Sequence, residues 1–405
     1  MQWIYLDNNA TTRPADDVAA AMREMDEQFW ANPSSVHRFG QSVRQKLELA
    51  RQEVASLVGG RPRELIFTSG GTESDNLAIY GTLEATLRPE GGPPGALITS
   101  AVEHSAVREP VADYEQAGGR VEQVRVDRAG RVETDAVRDA LARHADEGRP
   151  ILVSIQWANN ETGTIQPIAA VAAAVAEAKQ TAAERRPRIW LHIDATQAVG
   201  KLPVNVRESG ADLVTFSAHK LHGPKGVGAL WVRPGVRIRP LLRGGPQERE
   251  RRGGTENAAG IVGFGVAAKL AAAFLEDPAR RAEIEALRDR LEAKIAEAVP
   301  EMRVNAREAE RLWNTSNLAF PGLEAEAILL GLSERGVCAS AGAACSSGSL
   351  EPSPVLRAMG IDEPTAHGSV RFSLSRETTA EEIDQAAEAV AEVVQRVGRT
   401  MPVGR

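Results

Sequence analysis

Between residues 64 and 232 the chain repeats one pattern: a short apolar run of strand character, a polar cluster, then a helix. The runs are Glu64–Thr68, Ala96–Thr99, Arg120–Val126, Ile151–Trp157, Ile189–Ile193, Leu213–Ser217 and Ala229–Val232. Helical patterns over Thr72–Leu87, Ser105–Gln116, Val132–His144 and Ala169–Glu184 separate most of them. Near-continuous apolar strands alternating with helices predict an α/β fold with a mostly parallel sheet covered on both faces. Ligands of such sheets bind beyond the carboxyl ends of the strands. Ser69–Glu73, His104, Asn159–Glu161, Asp194–Gln197 and Ser217–Lys220 all follow a strand, so they are predicted to gather at one end of the sheet. After Thr255 the pattern changes. A long Ala-rich helical connector, Asn257–Ala298, leads to a strand at Asn317–Phe320 and a helix at Glu324–Arg335. A helix start at Pro354, a strand at Ser369–Ser373 and a helix at Ala380–Val397 follow, which predicts a smaller α/β domain.

Several classes are disfavoured. At 405 residues the chain is long enough for two domains. A net charge of −7 argues against broad nucleic-acid binding, and the basic run Arg249–Arg252 reads as a solvated loop. The first ten residues lack the basic-then-apolar order of a signal peptide. The apolar stretch Ile261–Leu275 is short for a bilayer span and contains Lys269. Two cysteines give no disulfide framework, and neither has a histidine at ligand spacing. The expectation is a cytoplasmic protein without a metal or membrane.

The chemistry centres on Asp212–Lys225, where a Val-Thr-Phe-Ser strand runs into Ser217, His219 and Lys220 and then a Gly-Pro turn. A lysine at the end of a buried strand can be deprotonated by desolvation and attack an aldehyde. Ser217 and His219 can hold a phosphate, so the stretch suggests a Schiff base with pyridoxal 5′-phosphate (PLP). A surface lysine in a turn reads the same way. Of seven lysines, only Lys220 follows directly on such a strand; Lys201 and Lys225 lie in Gly/Pro turns.

Other residues fit this chemistry while keeping structural alternatives. Gly70, Gly71 and Thr72 open a helix after a strand, which makes an anion site or a plain N-cap. Asp194 could pair a protonated pyridine nitrogen, or cap a helix; Gln197 lies within reach of a ring hydroxyl. His104 could stack on a flat ring and exchange protons, or be structural. Arg371 could clamp a carboxylate, or form an internal ion pair. Cys345 sits among Gly, Ser and Ala in what reads as a mobile exposed loop, where a thiol can attack. Cys338 reads as an inert strand residue.

Taken together, the motifs resemble the cysteine desulfurases of the class V aminotransferase group, fold-type I PLP enzymes. The resemblance rests on Tyr5-Leu-Asp-Asn-Asn-Ala-Thr-Thr, Asn32-Pro-Ser-Ser-Val-His, Thr68–Asn76, Glu103-His104 and Asn159-Asn-Glu-Thr-Gly. It continues through Asp194-Ala-Thr-Gln, Ser217–Gly226, Arg252-Gly-Gly-Thr-Glu, Cys345–Ser353 and Ser369-Val-Arg-Phe-Ser. The long Cys345 loop is similar to that of the housekeeping subgroup serving iron–sulfur cluster assembly and tRNA thiolation. The resemblance implies a large PLP-binding domain at 16–275 and a small domain from 1–15 with 276–405. It implies that Lys220 carries the cofactor, Asp194 pairs its ring nitrogen and His104 stacks on the ring. Gln197 and Asn160 would contact the ring oxygen or substrate. Gly71, Thr72, Ser217 and His219 would bind the phosphate, with Thr255 reaching the phosphate of a partner subunit in a homodimer. Asn32, Asn160 and Arg371 would bind L-cysteine, and Cys345 would take its sulfur and pass it to a scaffold protein or other acceptor. Pro246 stands where the family often has glycine, and Ala343 where serine is frequent. A selenocysteine lyase or a small-amino-acid aminotransferase would share the scaffold, but an aminotransferase needs no thiol. A PLP-binding scaffold that has lost activity would not need Lys220, Asp194, His104, Arg371 and Cys345 together.

Overall fold

The computed structural model of the chain describes residues 3–83, 95–181, 188–342 and 352–400. Its strands are β1 (Ile4–Tyr5), β2 (Leu65–Thr68), β3 (Ala96–Ser100), β4 (Arg120–Val124), β5 (Ile151–Gln156) and β6 (Ile189–Asp194). They continue with β7 (Leu213–Ser217), β8 (Gly228–Val232), β9 (Arg303–Val304), β10 (Thr315–Ala319), β11 (Val337–Cys338) and β12 (Ser369–Ser373). Strands β2 to β8 form one sheet in the order β2-β8-β7-β6-β5-β3-β4. β8 pairs antiparallel with both neighbours and the remaining pairs are parallel.

The sheet is buried on both faces because its strands are apolar at successive positions. Ile66, Leu97, Leu152, Trp190 and Leu213 point to one core, with Leu77, Ile79, Val107 and Val111 of the helices Gly71–Thr82 and Ser105–Gln116. The next residues, Phe67, Ile98, Val153, Leu191 and Val214, point to the other. There they meet Leu47 and Val54 of the helix Arg38–Leu57 and Ile261 and Phe264 of the helix Ala258–Leu275. This is the period-two alternation of a strand with two apolar faces. β4, at the edge, is the least buried strand of the sheet.

A separate core joins Ile4 and Leu6 to Ile284, Leu291, Phe320, Ile328, Phe372, Ile383 and Val390. It is built on a three-stranded sheet, β12-β10-β9, and on the pair β1-β11. The Ala-rich stretch read as one connector is two helices, Ala258–Leu275 and Pro278–Ala298. Pro278 lacks an N–H and Asp277 accepts from Arg280 N, so the chain restarts there as a new helix. The first helix is 18 residues long with mean hydropathy 1.9, enough by length and composition to cross a bilayer. It instead packs against the helices Asp16–Gln28 and Arg38–Leu57, with Phe264 fully buried.

The loop beyond Pro246 holds Glu248, Arg249 and Glu250 at φ of 47°, 58° and 64°, a left-handed path that non-glycine residues rarely take. A buried ion pair secures it. Arg51 Nη1 and Nη2 donate to Glu248 Oε2 and Oε1 at 2.8 and 2.6 Å, and Phe67 N donates to Oε2 at 3.0 Å. Glu248→Ala would leave the Arg51 charge buried with only the half-exposed Glu48, Oε1 at 3.4 Å from Nε, as a partner. Urea denaturation is expected to show a loss of roughly 3–5 kcal/mol.

Candidate active site

The carboxyl ends of β2, β6 and β7 bring a set of donors together. After β2 the helix Gly71–Thr82 begins, and its first N–H groups have no partner within the helix. A Cβ on Gly71 would lie 3.1 Å from Thr196 Oγ1 and 3.7 Å from Ser217 Cβ, which places the helix start against the ends of β6 and β7. A Cβ on Gly228 would come within 2.6 Å of the Gly70 carbonyl carbon, so only glycine lets β8 pass this loop. Among the described residues, the buried Ser217 hydroxyl has only a 3.5 Å contact to Val227 O, and the buried Thr196 hydroxyl has no partner. His219 Nδ1 lies 3.2 Å from Thr11 Oγ1; burial, then the neighbouring Lys220 charge, pushes its pKa down to about 4. Neutral donors around a helix N-terminus fit a phosphate dianion. Thr72 is exposed at this rim.

Lys220 occupies the single 3-10 turn, Ala218–Lys220, that leaves β7, and it is half-buried. Its Nζ donates to Asn9 O at 2.6 Å and Ala10 O at 2.9 Å. The N-terminal segment is tied along this turn: Thr12 N donates to His219 O, and His222 N to Thr12 Oγ1.

Asp194 ends β6, buried, with Oδ1 accepting from Thr196 N at 2.9 Å. Behind it, burial pushes the neighbouring groups toward their neutral forms. Burial pushes the His192 pKa down to about 4; its ring nitrogens meet Ser154 Oγ at 2.9 Å and Thr215 Oγ1 at 3.0 Å. Burial, then Asp194, holds the Asp75 carboxyl well above the usual range. Burial pushes Glu103 up to about 8, although Ser100 donates to it at 2.6 Å. His104 caps the helix Ser105–Gln116, its Nδ1 accepting from Ala106 N at 3.1 Å. Burial lowers its pKa, and the neutral ring then carries its proton on Nε2. Its capping and chemical roles are compatible.

Arg371 rises from β12 almost wholly buried. Its Nη2 donates to Asp7 Oδ1 at 2.6 Å and its Nη1 to Asn160 O at 3.0 Å, while Nε has no partner among the described residues. The internal ion pair therefore exists, between β12 and the N-terminal segment, and it sits beside Asn160. Gln197 donates to Asn9 O at 3.0 Å and accepts from Lys201 Nζ at 2.5 Å. Asn9 and Lys201 carried no assigned role in the sequence. The signal for Lys201 is a lysine set among Val199, Leu202 and Val204; for Asn9 it is only the motif itself.

Two assigned residues stand apart from this cluster. Asn32 is exposed in its own turn, accepting from Ser34 N at 2.8 Å, and Thr255 is exposed beyond the strained loop. Cys345 lies outside the described residues. The flanks of its segment both reach Glu161, another residue without an assigned role. Ser353 Oγ donates to Glu161 Oε2 at 2.6 Å, and a Cβ on Gly342 would be 2.9 Å from the same oxygen. Cys338 pairs with Tyr5 between β11 and β1, its thiol pKa raised by burial and then by Asp7.

Residues 4–386 match the family described as Aminotransferase class-V. The chain belongs to the class V aminotransferases. It is 46% identical over 402 residues to a cysteine desulfurase of Nostoc sp. (strain PCC 7120), a match spanning 99% of this chain and 95% of that one. It is 46% identical over 401 residues to cysteine desulfurase NifS of Azotobacter vinelandii, spanning 98% and 94%. A solved NifS-like protein superposes with a TM-score of 0.87 at 34% identity, covering 98% of this chain and 100% of that one. A structure described as SspA in complex with cysteine gives 0.78 at 31% identity, covering 93% and 99%. Within the class V family this chain is a cysteine desulfurase with the PLP fold-type I architecture, and the family is PLP-dependent.

The raised Glu103 pKa has a pH consequence. In the folded protein the proton stays on up to about 8, whereas the unfolded chain releases it near 4.5. The folded state therefore binds more protons across that window, and Glu103 erodes stability as pH rises through it. Glu103→Gln mimics the protonated form. In thermal melts its stability relative to the parent is expected to increase between about pH 5 and about pH 8.

Proposed function

We propose that this cysteine desulfurase holds PLP on Lys220 and transfers the sulfur of L-cysteine to Cys345, leaving L-alanine. The observation that carries the reading is the placement of Lys220 at the end of β7, where the sheet also presents Asp194 and the donor cluster of Gly71, Thr196 and Ser217. The residues present fit the cofactor: a helix start and an unpartnered buried hydroxyl for the phosphate, a carboxylate for a ring nitrogen and an amine for the aldehyde. When bound, PLP supplies an electron sink for charge that develops on the substrate carbon.

The chain's own groups do the rest. Asp194 would hold the protonated ring nitrogen of the cofactor, and Gln197 and Asn160 would contact its ring oxygen or the substrate. His104, its ring shifted by burial toward the neutral form, would stack on the cofactor and exchange a proton through Nε2. The Lys220 amine moves the substrate's α-proton. Arg371, whose Nε–H has no acceptor among the described residues, receives the substrate carboxylate beside its Asp7 pairing, whereas Asn32 stands apart from it in this copy. The Cys345 thiolate attacks the substrate sulfur. A sulfur–sulfur bond forms, the carbon–sulfur bond breaks, and the electron pair left on carbon is protonated to give alanine. The persulfide is then delivered to an iron–sulfur scaffold protein or another acceptor, tRNA thiolation being a second outlet.

A homodimer completes the site. Trp30 and Val36, 73% and 90% exposed, flank Asn32 and offer apolar area to a second copy, and the exposed Thr255 would serve the partner's phosphate. Cytoplasmic placement without stable nucleic-acid binding accords with the charge and cysteine usage.

PLP-loaded protein given L-cysteine and a reductant is expected to release alanine and sulfide in equal amounts; an intact cofactor spectrum with neither product overturns the reading. Cys345→Ser is expected to keep that spectrum and to lose sulfide release by a factor on the order of 100 or more, and an unchanged rate removes Cys345 as acceptor. Lys220→Ala is expected to abolish the visible band of lysine-bound cofactor.

A further inference from the structure

Lys201 is 5% exposed, in an enzyme where lysine is scarce. Its backbone is pinned by Trp313 Nε1, which donates to Lys201 O at 2.9 Å, and by Gly200 at φ 81° packed on Leu221. Its Nζ has two acceptors: Gln197 Oε1 at 2.5 Å and Asn9 Oδ1 at 2.8 Å. Both lead to Lys220. Asn9 O accepts from Lys220 Nζ at 2.6 Å and from Gln197 Nε2 at 3.0 Å. A small cavity is walled by both lysines together with Trp313 and Asn314. Among the described residues no carboxylate pairs with Lys201, and the charges that bear on it are the cations Lys220 and Arg371. It is therefore not placed as half of an ion pair.

We propose that Lys201 is a positioning residue: its N–H groups fix the amide orientation of Gln197 and the side chain of Asn9, so that Gln197 offers N–H rather than C=O on the side of the Lys220 site. An amide can flip, and its two ends have opposite hydrogen-bond character. Donation from Lys201 to Oε1 selects one orientation. It also polarises the amide and strengthens donation from Nε2. Burial, then Lys220 and Arg371, drives the Lys201 pKa well below its ordinary value. The two acceptors match the two N–H groups of a neutral amine, so the positioning role holds in either protonation state.

The inference rests on the reading that Gln197 faces the cofactor's ring oxygen. A donor there stabilises the oxyanion and makes the neighbouring Schiff base less basic. Losing the donor, or disordering it, raises the pKa of that Schiff base. Spectrophotometric titration of PLP-loaded parent, Lys201→Met, Gln197→Ala and the double variant separates the possibilities, with thermal melts alongside. Each single variant is expected to raise the Schiff-base pKa by about one unit. The double variant is expected to shift no further than Gln197→Ala alone, since the lysine acts through the glutamine. An unchanged titration in Lys201→Met, with only a lower melting temperature, reduces Lys201 to a packing role and overturns the proposal. Additive shifts overturn it too, because Lys201 then acts independently of Gln197. If Gln197→Ala itself leaves the titration unchanged, the premise that Gln197 faces the ring oxygen fails, and the proposal with it. Where Lys201→Met does not fold, Lys201→Gln runs the same cycle: a non-additive shift supports the proposal, and an additive or absent one overturns it.

Discussion

Everything at the site hangs on how Asn9 is held. It is buried, and all of its polar atoms are used. Its N–H donates to Ser373 Oγ, and its Nδ2 donates to Thr315 Oγ1 and Asn160 O. Its Oδ1 accepts from Lys201 and Asn314, and its carbonyl from Lys220 and Gln197. Thr315 and Ser373 belong to the sheet of the second core, whereas Gln197, Lys201 and Lys220 follow strands of the first. One short N-terminal segment is therefore the seam between two hydrophobic cores. A buried amide with every donor and acceptor satisfied is costly to disturb, since any loosened partner is left desolvated and unpaired.

The same economy of charge runs through the rest of the cluster. Asp194 ends a strand whose surroundings could have competed with it: His192, Asp75 and Glu103 are all deeply buried. Burial holds the His192 pKa down to about 4 and the Glu103 pKa up to about 8, and it moves the Asp75 carboxyl well above its ordinary value, each toward its neutral form. A cationic ring would then find Asp194 at the strand end, with groups behind it that burial pushes toward their neutral forms. Arg371 shows the complementary solution. Its charge is kept in the interior by Asp7, which comes from the N-terminal segment and not from β12 or its sheet neighbours. Removal of either group from water is affordable only because the partner is already placed.

Much of the fold was legible because its signals are local. β5, β7 and β12 lie where apolar runs end in polar clusters, and the helix Ser105–Gln116 follows His104 as its cap demands. Gly70 and Gly71 open the helix after β2, where the chain passes close to β8, Thr196 and Ser217. The break in the Ala-rich connector was also local, at Asp277-Pro278, but the high helix propensity on both sides masked it. Lys201 was legible only as a lysine set among Val199, Leu202 and Val204. A lysine beside Gly200 and Pro203 looks like a turn residue, and nothing near it in the chain says that Gln197, Asn9 and Trp313 will close over it. Glu161 was legible as part of a motif, yet its contact with Ser353 spans 192 positions.

The amino-acid order by itself determined the alternating strands and helices, the polar clusters at one sheet end and the identity of Lys220 as the lysine at a strand terminus. Each follows from periodicity, chain direction and side-chain chemistry within a few residues. Only the tertiary structure decided which polar atoms meet: Asn9 with both lysines, Arg371 with Asp7, Glu161 with the flanks of the Cys345 segment. Those pairings depend on the two cores packing against one segment. Burial, not sequence neighbours, then sets which groups carry charge.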